Sequence, residues 1–379
     1  MRFVLFYHSF TSCWNHGNVH FLRGVTRALI ARGHQVTIYE PADSWSRVNA
    51  LREPHGAAIL EECAQLVPGA DIRSYTLSTI DLDRALDGAD VVIVHEWNDP
   101  MLLRRIADRR VRGGRFLLLF HDTHHRAASG PHELNRLRLD ACDLVLVFGE
   151  VLRQRYLANG WGRKVATWHE AADTDLFSPQ PNVTREADLV WIGNWGDDER
   201  DRELTEFLAR PVAASGLQGR LYGVRYPLPV LARLPYIGLD YRGWLPNHRA
   251  PRAFAAARFT VHVPRRPYVE ALPGIPTIRV FEALACGTPL ICAPWPDVEG
   301  LFPEGCYLKV KDGAAMLRAM RIVMHDGDLT AEMVRRGRAV IASRHSCTHR
   351  ADELLALLSR QLPNRQRKPR DVIESAVVS

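Results

Sequence analysis

Residues Thr277 to Ile291 read TIRVFEALACGTPLI. Ile278, Phe281, Leu284 and Ala285 recur at the spacing of one helix face, which predicts a helix over 277–286 packed on a sheet. Gly287 stops that helix, and Thr288-Pro289 turns the chain into the short apolar strand Leu290-Ile291-Cys292. The lead-in Leu272-Pro273-Gly274-Ile275-Pro276 is stiff and turn-rich. The first backbone N–H groups of such a helix have no partner within it, so they form a site for a phosphate. Glu282 lies one and a half turns inside, where a carboxylate meets ligand hydroxyls. The plainer reading is a buried helix–turn–strand unit with Glu282 at its polar edge, and the stretch alone does not separate the two.

On either side of this unit the chain alternates strand and helix. Arg2–Phe6 is a buried-type strand, Tyr7–Asn15 a polar loop, and a helix from Gly17 to about Ala31 carries Val19, Leu22, Val25, Leu29 and Ile30 inward. Arg32-Gly33-His34 ends it before the strand Val36–Tyr39, a β–α–β unit whose right-handed crossover makes the sheet parallel. Further strands read at Ile72–Tyr75, Val91–Val94, Phe116–Phe120, Leu144–Phe148 and Val165–Thr167. A polar, turn-rich boundary falls near 178–187, SPQPNVTREA. A second series follows at Leu189–Ile192, Leu221-Tyr222, Tyr241-Arg242, Phe259–Val263, Leu290–Cys292 and Tyr307–Val310, with helices at about 202–214, 248–257, 314–325 and 329–343. A last helical pattern runs from about Thr348 to Leu362, and the tail from Pro363 shows no periodicity and is expected to be disordered. This alternation is the signature of doubly wound α/β sheets.

With 379 residues, two domains are the default. The composition is ordinary for a soluble protein, 46% hydrophobic and 24% charged, and no apolar run nears the roughly 20 residues of a membrane span. Seven scattered cysteines without a C-x-x-C pair argue against a disulfide framework or a zinc site and for a reducing compartment. A net charge of +6 suits an anionic co-substrate and does not demand nucleic acid. No G-x-G-x-x-G follows the first strand, which sets a dehydrogenase aside.

A Glu followed by an apolar helix and A-x-A-C-G-T-P-L-I resembles the donor-binding motif of retaining GT-B glycosyltransferases of the family-4 group, and the run with Arg279 is closer to a CgeB-type branch. The resemblance implies two Rossmann-like domains with a cleft between them: 1–180 for the acceptor, 181–345 for the nucleotide sugar, and 346–362 as a helix crossing back to the first domain, with 363–379 as the tail. It assigns the ribose to Glu282 and the diphosphate to the helix start at Thr277, Ile278 and Arg279. The family's second Glu, eight residues earlier, is here Gly274, so the donor sugar does not read across.

Loops at strand ends supply the other candidates. In His16-Gly17-Asn18, Gly17 takes the second glycine of the family's pair beside the donor phosphates, His16 replaces the first, and His16 and Asn18 face the acceptor. In HDTHHR, His121 matches the family's histidine at the reacting sugar, with Asp122 and His124 toward the acceptor; the same cluster read alone also suggests metal ligands. His95 ends the preceding strand and is expected in the acceptor pocket. WHEAADTDLF (168–177) resembles the family's N-G-V-D-x-x-x-F, with Asp173 and Phe177 matching and Ala171 for the glycine; Asp173 is expected to fix a turn. In GNWGDDER (193–200), Asn194 and Arg200 stand where the family places Arg and Lys against the diphosphate. A leaving diphosphate gains charge, and a guanidinium binds it in bidentate fashion, so Arg200 is the expected catalytic cation unless its acidic neighbours pair with it. Trp244 and Leu245 follow a strand–glycine turn that in the family holds the nucleobase.

The expected activity is therefore metal-independent, retaining transfer from a nucleotide-diphosphate sugar (UDP or GDP) to a hydroxyl of a glycan, lipid or small molecule, with no cofactor. The expected location is cytoplasmic. The run Arg104-Arg105, Arg109-Arg110, Arg112, Arg115 reads as a solvated helix face or as a peripheral contact with the inner face of a membrane. Two alternatives stand beside it: a GT-B nucleotide-sugar epimerase using His121 with His95 as acid and base, and a non-catalytic sugar-nucleotide or glycan-binding protein.

Overall fold

The structure is a computed structural model that describes residues 1–15, 17–196 and 199–361. His16, the acidic pair Asp197-Asp198 and the tail 363–379 lie outside the described residues.

Two wholly parallel sheets form the frame. In the first, β1 (Arg2–Phe6), β2 (Gln35–Pro41), β3 (Asp71–Tyr75), β4 (Val91–His95), β5 (Leu117–Asp122), β6 (Leu144–Val147) and β7 (Val165–Thr167) lie in the order β3-β2-β1-β4-β5-β6-β7. In the second, β8 (Ala187–Ile192), β9 (Gly219–Tyr222), β10 (Leu239–Tyr241), β11 (Ala257–His262), β12 (Leu290–Cys292) and β13 (Leu308–Lys309) lie in the order β10-β9-β8-β11-β12-β13. Helices cover both faces, so central strands are apolar throughout; every residue of β4 is buried.

Two elements depart from the apolar pattern. β5 runs two residues past Phe120, because His121 and Asp122 continue the ladder, His121 opposite His95 and Asp122 opposite Val147. These two residues therefore belong to a buried strand and not to a loop. The helix expected over 202–214 is broken by a π-helical turn, Thr205–Ala209, just before Arg210-Pro211. Pro211 has no N–H to donate to the preceding turn, so the regular ladder cannot pass through it.

Four helices position the site. α1 (Val19–Ala31) follows β1, α2 (Ile278–Cys286) precedes β12, and α3 (Gly327–Arg344) packs on α2 before the chain passes into α4 (Cys347–Ser359). Every residue of α2 but Arg279 is buried, and Gly287 ends the helix in the left-handed conformation at φ 69°. α4 packs back against α1. Its return is tied by Trp168 Nε1 donating to the Arg350 carbonyl at 2.9 Å and by Ala172, whose N–H donates to the His345 carbonyl and whose carbonyl accepts the Cys347 N–H, both at 2.9 Å. One apolar core runs without a break from Phe3 and Leu29 of the first sheet and α1 to Phe281 and Leu284 of α2 and Leu354 of α4.

The arginine run is largely engaged within the fold. Arg105 donates to the carbonyls of Leu77 and Ile80, Arg109 pairs with Asp83, and Arg110 binds Asp143 at 2.5 Å and the Phe116 carbonyl at 3.1 Å. Among the described residues no helix is long and apolar enough to cross a membrane.

Candidate active site

The carboxyl ends of both sheets open on one cavity of about 620 Å³. The wall from the second sheet is cationic. Thr277, Ile278 and Arg279 present the start of α2, and Arg200 and Arg265 approach from the loops after β8 and β11. Gly17 of the first half touches this helix start: a Cβ there would lie 3.0 Å from Ile278 Cγ2 and 3.4 Å from Arg279 Nη2, so a larger residue would push the two halves apart.

Arg200 is held by carbonyls. It donates to the Val263 carbonyl at 3.3 Å and to the Asn194 carbonyl, and its guanidinium lies 5.2 Å above the Trp191 ring. Among the described residues it has no carboxylate partner, because Glu199 pairs with Arg265 at 2.6 Å. Burial first, and the charge of Arg265 second, lower its pKa to about 9. An anion arriving in the cavity would relieve both causes. Asn194 also lines the cavity; its side chain reaches across to Asn15 and accepts from the Val224 N–H at 3.2 Å. Trp244 and Leu245 both line the cavity, and the buried Trp244 indole N–H has no hydrogen-bond partner among the described residues.

Glu282 does not reach the cavity surface. It is fully buried; Arg279 takes one carboxylate oxygen, and Asn247 Nδ2 at 3.3 Å meets the other, with His20 Nδ1 3.2 Å away. Here it fixes Arg279 at the cavity edge. Asn247 clasps the two halves, donating its backbone N–H to Cys13 Sγ at 3.3 Å and its side chain to the Gly17 carbonyl at 3.3 Å.

The first-sheet wall rests on buried carboxylates. Glu40 accepts the backbone N–H groups of Phe10, Thr11 and Ser12 at 2.9–3.1 Å, which shapes the loop after β1. Thr123 joins the other loops: Asn18 Nδ2 donates to its hydroxyl at 2.8 Å, the hydroxyl donates to Glu96 at 3.1 Å, and His95 Nε2 lies 3.2 Å away. Arg126 closes the far side of Glu96 at 2.8 Å. Of the acceptor candidates, Asn18 and His124 line the cavity, and the His124 ring sits against Trp97. His95 and Asp122 do not; Asp122 is fully buried and accepts the Tyr156 hydroxyl and the His124 N–H, so it shapes the loop. His121 also stands behind the wall. It is fully buried, edge-on to His95 and Trp168, with neither ring nitrogen hydrogen-bonded among the described residues, and burial lowers its pKa to about 3. Successive strand residues point to opposite faces, and because β5 continues through His121 its ring packs on the sheet face of Phe21 and Trp168 and not beyond the strand end. Asp173 fixes its turn as expected, its carbonyl accepting the Leu176 and Phe177 N–H groups, and also binds Arg27 at 2.8 Å. Among the described residues no three His, Cys, Asp or Glu side chains converge as metal ligands.

No curated protein sequence matches the chain. Residues 200–356 match the family model described as glycosyl transferase-like. Over 95% of its length the chain superposes on solved structures that are themselves almost wholly covered. Sucrose-phosphate synthase from Thermosynechococcus elongatus matches with a TM-score of 0.66, 16% identity and 98% of its chain covered. Anabaena HepE in complex with UDP and glucose matches with a TM-score of 0.68, 14% identity and 100% covered. T4 phage BGT in complex with UDP and Mn2+ matches with a TM-score of 0.60, 11% identity and 99% covered. The fold is GT-B.

The GT-B cleft contains residues that sequence reading passed over. Arg265 belongs to an Arg-Arg pair just beyond β11, and the strand-end rule applied there finds it. Tyr268 and Asn247 carry no signal, since their neighbours in space are remote in sequence. Glu170 lines the cavity from the stretch after β7, within a motif read as architectural.

Proposed function

We propose that the chain is a retaining, metal-independent glycosyltransferase that moves a sugar from a nucleotide-diphosphate sugar, with UDP favoured, to a hydroxyl acceptor. The observation that carries this is the meeting of Arg200, Arg265, Arg279 and the start of α2 on one wall of the interdomain cavity. Cations and helix N–H groups are what a departing diphosphate requires. UDP is favoured because HepE and T4 phage BGT are each described with it. Trp244 and Leu245 line the cavity and would flank the base, and Asn18 and His124 line it from the first domain, where the acceptor would enter.

A retaining course fits the carboxyl groups. Two line the cavity among the described residues: Glu199 is paired with Arg265, and burial raises Glu170 to about 8, which keeps it protonated at neutral pH. Neither offers the free carboxylate that a covalent nucleophile needs, which fits a course without a glycosyl-enzyme intermediate. The acceptor hydroxyl would then approach on the face from which the diphosphate departs, with a diphosphate oxygen taking its proton. The protein's part is to position both and to balance the charge. His95 and His121, the pair an epimerase would use, lie outside the cavity lining.

Incubation with radiolabelled UDP- and GDP-sugars and a panel of hydroxyl acceptors tests this. Transfer, or slow release of free sugar with the donor's anomeric configuration, supports it. Conversion of one nucleotide sugar into another identifies an epimerase, and binding without turnover a non-catalytic protein.

A further inference from the structure

Glu170 stands apart from the other buried carboxylates. It is 5% exposed and lines the cavity, yet among the described residues it makes no hydrogen bond and no ion pair. Glu40, Glu96, Asp122 and Glu282 are comparably buried, and each is tied to several donors of the fold. Its carboxyl oxygens open on the cavity and meet no described donor of the fold, so they are available to a group that enters the cavity.

We propose that Glu170 is a donor-binding residue whose carboxyl group holds a hydroxyl of the sugar carried by the diphosphate. This rests on the donor reading above. Arg279 and Tyr268 line the same cavity, the buried Glu282 behind Arg279 is near enough to act on the charge of Glu170, and its neighbour His169 is taken up by Glu299 at 2.8 Å. The group bound next to a diphosphate at the start of α2 is the transferred sugar, and its hydroxyls both donate and accept. A neutral carboxylic acid matches them with one O–H donor and one carbonyl acceptor. Burial first, then the Glu282 charge, hold Glu170 in that form, while Arg279 opposes them. An ionised Glu170 would add negative charge beside the diphosphate, so donor binding should weaken as the group loses its proton.

The test is calorimetry on the full chain with UDP, UDP-glucose, UDP-galactose and UDP-N-acetylglucosamine. Wild type, Glu170→Gln and Glu170→Ala are compared at pH 7. UDP should bind all three within about twofold. The best-bound UDP-sugar should keep its affinity within about threefold in Glu170→Gln, which is neutral and can donate and accept, and lose about five- to tenfold in Glu170→Ala. At pH 9 wild type should bind the UDP-sugar more weakly than at pH 7 by a larger factor than Glu170→Gln does. Should Glu170→Ala fail to fold, this pH comparison carries the test alone. Equal UDP-sugar affinity in wild type and Glu170→Ala would overturn the proposal, as would equal loss of UDP and UDP-sugar, or the same pH response in wild type and Glu170→Gln. Wild type that binds none of the four would remove the donor reading itself.

Discussion

Arg200 carries a guanidinium that no described carboxylate neutralises, on a wall it shares with Arg265 and Arg279. If it meets the diphosphate, its charge matters most as the glycosidic bond breaks. Arg200→Ala should therefore lower kcat more than it raises the donor KM, by about a hundredfold to a thousandfold. Arg200→Lys should recover only part, since a point charge cannot span two phosphate oxygens. Steady-state kinetics decides, and a kcat within a few-fold of the parent would shift the role to Arg279. Glu170 predicts a stability effect of the opposite sort. Its folded pKa of about 8 exceeds the carboxyl's usual 4.5, so the group costs nothing below pH 4.5. Stability is lost as pH rises between these values, because the unfolded chain ionises first, and the loss levels off above about 8. Glu170→Gln removes that loss and should stabilise the protein at pH 7.5 by on the order of 2–4 kcal/mol, with little effect at pH 4.5; urea titrations at the two pH values measure it. Asn18 and Arg200 were legible as residues of the cavity lining because both lie in loops that follow the carboxyl ends of strands, β1 and β8. His121 and Asp122 were not, because the ladder pairing that extends β5 depends on β4 and β6, which sequence spacing does not show.

Among the elements, the parallel strands were the most legible, since burial on both faces writes them as unbroken apolar runs. The π-helical turn before Pro211 left only the proline as a signal, and the short helix Arg266–Glu270 that carries Tyr268 to the cavity left none. α4 has a plain apolar pattern, but its partner is α1, more than 300 residues earlier, and spacing cannot name it. The helix places Leu354 in the continuous core at 0% exposure. Leu354→Ala should cost about 2–5 kcal/mol in chemical denaturation, the range for emptying a fully buried leucine site. A cost below about 1 kcal/mol would mean that α4 contributes little to holding α1.

The whole molecule answers the question of charge. Among the described residues four arginines line the cavity, Arg200, Arg225, Arg265 and Arg279, beside the start of α2. Glu199 and Glu282 pair with two of them, which leaves Arg200 and the helix N–H groups to meet a diphosphate, and activity should persist within about twofold in excess EDTA. The T4 phage BGT structure holds Mn2+ with UDP, so the outcome is open to measurement: activity abolished by chelation and restored by manganese would overturn the metal-independent course. The two-sheet plan was legible in the alternation of elements, and the cleft between the sheets was implied by the family resemblance. The Asn247 clasp and the Gly17 contact were not, because both join residues separated by more than 200 positions.

The clasp also gives the protein a chemical clock. All seven cysteines are free and buried, and Cys13 is the one that lines the cavity, its sulfur covered by the Asn247 N–H of the opposite half. The neighbouring Cys63 thiol and nearby Arg23 help bring Cys13 to about 7, so the thiol should react readily once uncovered. A small alkylating reagent should then modify Cys13 only during moments of separation, at a rate set by how often the halves part. Mass spectrometry should find that rate lowered about tenfold or more by saturating UDP, while Cys292 in the second sheet stays unmodified throughout.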